Sequence, residues 1–293
     1  MIDAADLSTL PLPAIIEELD VAAIYDRMVA TFLAECAAAD IDYDVEGLQS
    51  DPAPKLLRAA AYRELMLRSR INETYRSRLL YFSTGTDLDN VADEDGITRL
   101  EGETDAALRT RARLFARGSS SAGPDDWWRF HAMTASVHVE DVAVTRVTYP
   151  IPAPNEHRGS IVLSILADTV DGVPSTELLN AVRAVVTSRS VRGVNVDVTA
   201  VGAVDTTVNI TADIWLRPTA PAGLMASIDT TFRAAWAQSR ALGWDVTRSW
   251  VLGQLHRVGV HRVELLNFSD VIVAANQAPR LGTLTLVNRG VAS

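Results

Sequence analysis

Four groups of residues have the types needed for chemistry. Asp87, Asp89, Asp93, Glu94 and Asp95 crowd into one short stretch, and carboxylates at such density suit calcium, a hard cation that takes oxygen ligands. The calcium loop, however, needs a glycine at its turn position and carboxylates at both ends. With Gly96 at the turn, Val91 takes the first ligand place and Gly102 the last, and neither carries a carboxylate. The expectation is a solvated acidic loop. His256, His261 and Glu264 are the right types for zinc. On an extended segment, though, positions 261 and 264 point to opposite faces, so hydrogen-bonded or exposed histidines are expected instead. His131 and His138 have no Ser or Cys nucleophile beside them in a motif. An enzymatic alternative would need a site assembled from dispersed residues such as His131, Asp141 and His261. Cys36 is the lone cysteine, which excludes an intramolecular disulfide and a cysteine-based zinc site. Phosphate-binding loops, dinucleotide fingerprints, zinc-protease helices and nucleophile elbows are missing as motifs. No catalytic, cofactor-binding or metal-ligating residue is therefore assigned.

Composition bears on partners. The chain has 293 residues, 48% hydrophobic and 22% charged, the balance of a folded protein with room for more than one packed unit. Its formal net charge is -10, which argues against nucleic acid, whose binders present a net basic face to phosphate. Positive charge comes almost wholly from arginine, Lys55 being the single lysine. No apolar run reaches the roughly 20 residues that span a bilayer. The opening Met1-Ile2-Asp3-Ala4-Ala5-Asp6 lacks the basic-then-apolar layout of a secretory signal, so folding in the cytoplasm is expected.

The elements that must position these residues divide the chain in two. The first third reads helical. Pro11 to Pro13 precede a helix start at Ala14 to Leu19, and Ile24, Met28 and Phe32 recur every four residues in a helix over Val21 to Ala39. Asp51-Pro52-Ala53-Pro54 is a break. Beyond it the longest helical pattern runs from Lys55 to Phe82. Leu67, Ile71, Tyr75, Leu79 and Phe82 form one apolar stripe, and Leu57, Ala61 and Leu65 a second, offset around the cylinder. Arg63 and Arg70 share the helix, and Glu64 sits four residues before Arg68 as a stabilising pair. A helix about 40 Å long with two apolar stripes must bury both against other helices. Nearby segments of the same chain are too short to cover all of it, so the helix is either an ordinary core helix or an intersubunit one, and in the second case partner contact is expected at Leu57, Ala61, Leu65, Leu67, Ile71, Tyr75, Leu79, Arg63 and Arg70.

Gly85 is a candidate left-handed cap ending that helix. Thr104 caps a further helix to Arg117, with Ala107, Leu108, Ala112 and Phe115 inward. Gly118 to Pro124 reads as a flexible loop before a helix opening at Asp125-Asp126. The second half changes character. Strands are expected at Val137 to Val144 and Gly159 to Leu166, a helix opening at Pro174 to Glu177 with Leu178, Leu179, Val182, Val185 and Val186 on one face, and a strand at Val194 to Val201. That order is a β-β-α-β unit. A β-α-α-β unit follows: Thr206 to Leu216 alternates as a long half-buried strand, helices occupy Pro221 to Arg240 and Thr247 to Val258, and Gly259 to Phe268 is extended. Leu281 to Val287 reads as a closing edge strand. Trp127, Trp128, Trp215, Trp236, Trp244 and Trp250 are shared between core and interface. The fold class is α+β, a helical region with one long amphipathic helix followed by two small α/β units. Its expected division is 1–85, 86–135 (a helical connection), 136–205 and 206–293.

Several segments taken together resemble the baseplate J-like family, the baseplate wedge proteins of contractile-tailed bacteriophages and related injection machines. They run in order from Asp6-Leu7-Ser8-Thr9-Leu10-Pro11 and Glu17-Glu18-Leu19-Asp20 to a sharpest match at Ala61-Tyr62-Arg63-Glu64-Leu65-Met66-Leu67-Arg68-Ser69-Arg70-Ile71-Asn72-Glu73. Thr84 to Asn90, Asp105 to Arg109, Ser121 to Pro124, Phe130 to Ala132, Gly172 to Leu179, Asp245 to Ser249 and Gly259 to Leu265 continue the series. The stretch Asp93 to Glu103 is shorter than the family's usual insertion there. The resemblance implies a non-enzymatic structural subunit of the virion tail baseplate. Two copies would join one different wedge protein, and the wedges would close into a ring around the tail tube that rearranges when the sheath contracts. It also implies contact with a lysozyme-like baseplate protein linking to the sheath, assembly in the host cytoplasm, no cofactor, no nucleic acid and no membrane. One sequence serving two environments in such a ring needs mobile joints, and Gly118 to Pro124 is the candidate hinge.

Overall fold

The computed structural model describes residues 13, 15–43, 52–120, 123–147, 160–193 and 196–292. The opening of the chain through Pro11, Ser121-Ala122, Gly159 and the strand start at Val194-Asn195 lie outside the described residues. Eight helices and six strands occur among those described, helices first and two three-stranded sheets after them, which is the α+β class expected. Two compact units divide the chain, residues 4–98 and 99–293.

In the first unit, α1 spans Val21–Ala38 and α2 spans Pro52–Ser77. The helix start expected at Ala14 to Leu19 is corrected: residues 15–20 are turn and extended chain. The reason is side-chain competition. Asn72 donates to the Glu17 carbonyl at 2.8 Å and accepts from the Glu17 amide at 3.2 Å, so that backbone pairs with a side chain rather than with a helical turn. Asp20 then caps α1, accepting from the Ala22 amide at 2.8 Å. The proline break lies beside the true start of α2, because Pro52 and Pro54 sit in a first turn whose amides have no intrahelical partner. At the far end α2 stops at Ser77, not Phe82. Ser77 Oγ donates to the Thr74 carbonyl, and Arg78 and Leu79 bond back only three residues, tightening the chain into a turn. Leu79 and Phe82 are therefore off the helix. Gly85 does take a left-handed φ of 54°, yet it opens a new helix, α3 (Gly85–Asp93), where an acidic loop was expected. Leu88 and Ala92 bury one side of α3, so Asp87 and Asp89 are helical carboxylates rather than loop ligands.

The second unit opens with α4 (Asp105–Gly118), capped by Thr104 accepting from Ala107, and α5 (Asp125–Thr134). Leu108 and Ala112 are buried as expected, and Leu114 and Arg111 join them. Arg111 is 2% exposed and meets Glu103 at 2.6 and 2.8 Å, a two-pronged ion pair sealed from water. Strands β1 (Val139–Val147) and β2 (Ser160–Ala167) pair antiparallel; α6 (Thr176–Val186) crosses over; β3 (Asp197–Gly202) returns parallel to β2. This is the β-β-α-β unit. The second sheet of the same compact unit sets β4 (Val204–Leu216) between antiparallel β5 (Val260–Leu265) and parallel β6 (Gln277–Val291), with α7 (Leu224–Ser239) and α8 (Arg248–Leu255) between β4 and β5 in sequence. The edge position of β6 matches expectation, but the strand reaches four residues further at each end than Leu281 to Val287. Val208, Ile210, Ala212 and Ile214 alternate into a core with Ile228, Phe232, Trp236, Val251 and Leu255. Trp244 and Trp250 stack edge-on beside Trp236.

Candidate functional site

The long helix is where the sequence asks for a partner. Ala61 is fully buried and Leu57 and Leu65 are half-buried. Leu57 lines an open groove of about 440 Å³ with Ile24, Met28 and Phe32 of α1, so the second stripe is the one that α1 partly covers. Polar tethers flank it. Arg68 bridges Glu64 at 2.8 Å and Glu17 at 2.7 Å, and both carboxylates raise its pKa above the usual guanidinium value, keeping it cationic.

The first stripe is open. Leu67 is 67% exposed, Ile71 52% and Tyr75 41%. Leu79, beyond the helix end, is half-buried. Three residues absent from the expected set add to the open surface: Leu56 at 70%, Tyr62 at 59% and Met66 at 53%. At 3.6 residues per turn, Arg63 and Arg70 fall between the Tyr62–Met66 pair and the Leu67–Ile71 pair. Both arginines are exposed; among the described residues Arg70 reaches Glu73, at 3.7 Å. The four-residue spacing of Tyr62 and Met66 was the signal that could have revealed them, a third apolar line on a helix already carrying two. Single exposed apolar residues are ordinary; six large ones on one helix make, among the described residues, a broad exposed apolar surface.

The residues considered for chemistry are scattered. His131 lies on α5 against the rings of Trp127 and Phe130, and burial lowers its pKa to about 4, so it is neutral near pH 7. Asp141 spends both carboxylate oxygens on the amides of Val142 and Leu242. His256 and His261 are exposed, and Glu264 pairs with Arg262. Among the described residues no cluster of three or more His, Cys, Asp or Glu is arranged to hold a metal, and no helix is long and apolar enough to cross a membrane. Cys36 is buried with a free thiol. Trp236 and Trp128 belong to the interior, whereas Trp215 lies beneath Arg262, whose guanidinium carbon is 4.8 Å from the ring centre.

Residues 49–103 match the model of the baseplate J-like N-terminal domain, a span that holds all of α2 and α3. Over 298 aligned residues the chain is 31% identical to baseplate protein J of Escherichia phage P2, covering 93% of this chain and 94% of that protein. A cryo-electron-microscopy structure of the anti-feeding prophage baseplate, 6-fold symmetrised, is similar at a TM-score of 0.38 and 12% identity. That likeness covers 61% of this chain, which spans only 42% of the neighbour's length. Identity sustained across nearly the whole of both sequences settles the affiliation: the chain belongs to the baseplate J-like family.

Proposed function

We propose that the chain is a structural subunit of a contractile-tail baseplate, working by assembly rather than catalysis. In this reading two copies join one different wedge protein, and the wedges close into a ring around the tail tube that rearranges on sheath contraction. A lysozyme-like baseplate protein links the ring to the sheath. Assembly takes place in the host cytoplasm before the subunit resides in the virion tail. The helical region 1–85 makes the bundle contacts, 86–135 connects with a hinge at Gly118 to Pro124, and the units 136–205 and 206–293 make contacts around the ring.

One observation carries the proposal: the open apolar surface of α2, six large side chains between 41% and 70% exposed with Arg63 and Arg70 among them. Each apolar side chain withdrawn from water contributes on the order of 1.5–3 kcal/mol, and arginine and tyrosine are enriched where interface energy concentrates. The family relationship supplies the kind of partner, since the P2 relative is named for the baseplate.

The test replaces Leu67 and Ile71 together with Asp. Co-expressed with the neighbouring wedge protein, the variant should fail to co-purify, while circular dichroism and unfolding of the isolated chain stay close to those of the parent. Normal co-purification would falsify the assignment of this face.

A further inference from the structure

A second unfinished surface lies far from α2 in sequence, at the outer edge of β1. In the order β1-β2-β3 this edge is, among the described residues, paired with no other strand. Asp141 reveals which backbone groups face outward. Its Oδ2 accepts from the Leu242 amide at 3.0 Å, and its Oδ1 accepts from the Val142 amide at 2.8 Å, so that amide is taken by a side chain rather than by β2. The Val142 amide therefore points outward. Because backbone direction alternates along an antiparallel strand, the amide and carbonyl of Val144 point the same way. Among the described residues, no hydrogen bond from outside the β1–β2 ladder reaches Val144.

A cleft of about 300 Å³ runs along this edge, lined by Arg129, Val142 and Val144 on one side and by Leu242, Gly243 and Ala275 on the other. The far wall has few donors to offer: Leu242 donates to Asp141, and Gly243 donates to the Gln277 carbonyl at 2.8 Å. Arg129 differs. Its Nε is buried without an acceptor, and Asp126, 3.6 Å from Nη1, is held more closely by Arg117 at 3.0 Å. The cleft thus offers a strand edge unpaired among the described residues and a guanidinium with a donor to spare.

We propose that this edge accepts an extended peptide segment of a partner protein, added as a further strand beside β1, with an acidic side chain of that segment taken up by Arg129. Main-chain hydrogen bonds to Val144 would give affinity and the carboxylate would give selectivity, as in strand addition generally. A second copy of this chain is the poorer occupant. A second β1 edge carries no free carboxylate of its own for Arg129, since both oxygens of Asp141 are already engaged and Asp126 is held by Arg117.

The experiment uses the full chain and three blocked hexapeptides that alternate Thr and Val, with Glu, Gln or Lys at the fourth position. Binding is followed by the chemical shift and exchange protection of the Val144 amide. The Glu peptide should protect Val144 and bind about tenfold tighter than the Lys peptide, with Gln between them. Arg129→Gln should erase that preference while leaving weak binding. Val144→Pro should abolish binding with the circular dichroism spectrum kept. Equal affinity for the Glu and Lys peptides, no protection of Val144 at millimolar peptide, or concentration-dependent self-association lost in Val144→Pro would each overturn the proposal. None of these readouts depends on α2, so the Leu67/Ile71 double variant should bind the Glu peptide as the parent does.

Discussion

Two helices of this protein both carry apolar stripes and meet opposite fates. Helix α7 buries Ile228, Phe232 and Trp236 against the alternating face of β4, with Trp244 and Trp250 filling the space beside them. Helix α2 is ten residues longer, 26 against 16, yet buries only Ala61 and Asn72. The difference is the availability of a covering layer. A three-stranded sheet presents a wide apolar face that one helix can blanket, whereas α1 is a single cylinder and reaches only one stripe of α2. Apolar residues that fold a protein and apolar residues that assemble it look alike in composition. They separate only when the surface opposite each is known.

The contrast can be pushed hardest from its closed side. Phe232→Ala should cost about 3–5 kcal/mol, through lost transfer energy and the cavity left among the tryptophans, read by denaturant unfolding. A loss below about 1 kcal/mol would mean that this core is as open as α2. His131 offers a test without a cavity. Its folded pKa of about 4 lies below the ordinary 6.5, so the unfolded chain binds the proton more readily between those values. Stability is then fully present above pH 6.5 and falls as pH drops through 4. His131→Phe should flatten the unfolding midpoint across that window.

On the open side the effects shrink. Asn72→Ala removes both hydrogen bonds to Glu17 and leaves those backbone groups to find water, a cost of about 1–3 kcal/mol felt mainly in the first unit. Hydrogen exchange in residues 15–43 should show it as local loosening. Smallest of all, the Leu67/Ile71 double Asp variant should shift the stability of the isolated chain by no more than about 0.5 kcal/mol per site, because both side chains are already in water. A large loss of stability there would show that the stripe is covered by its own chain, and the comparison with α7 would collapse.

Much of this architecture was legible in residue spacing. The α1 stripe of Ile24, Met28 and Phe32, the Thr104 cap, and the alternation of β4 each rest on contacts within a few residues, where side-chain chemistry acts directly on the local backbone. The carboxylate run at Asp87 to Asp95 misled because charge dominates its composition, while Leu88 and Ala92, four apart, are enough to anchor a short helix. The true ends of β6 were equally hidden. They depend on pairing with β4, a strand some 70 residues earlier, and on two register shifts along that pairing.

By itself, then, the sequence determined most of the elements and their order, though not α3, together with the amphipathic character of α2 and the family to which the chain belongs, because each follows from local periodicity or from residues in series. Only the tertiary structure decided which stripe of α2 α1 takes up, that Asn72 holds Glu17 out of a helix, that Arg111 and Glu103 are sealed together, and that the outer edge of β1 borders a cleft. Those outcomes turn on which distant segment arrives opposite a given face, and spacing along one chain carries no record of that.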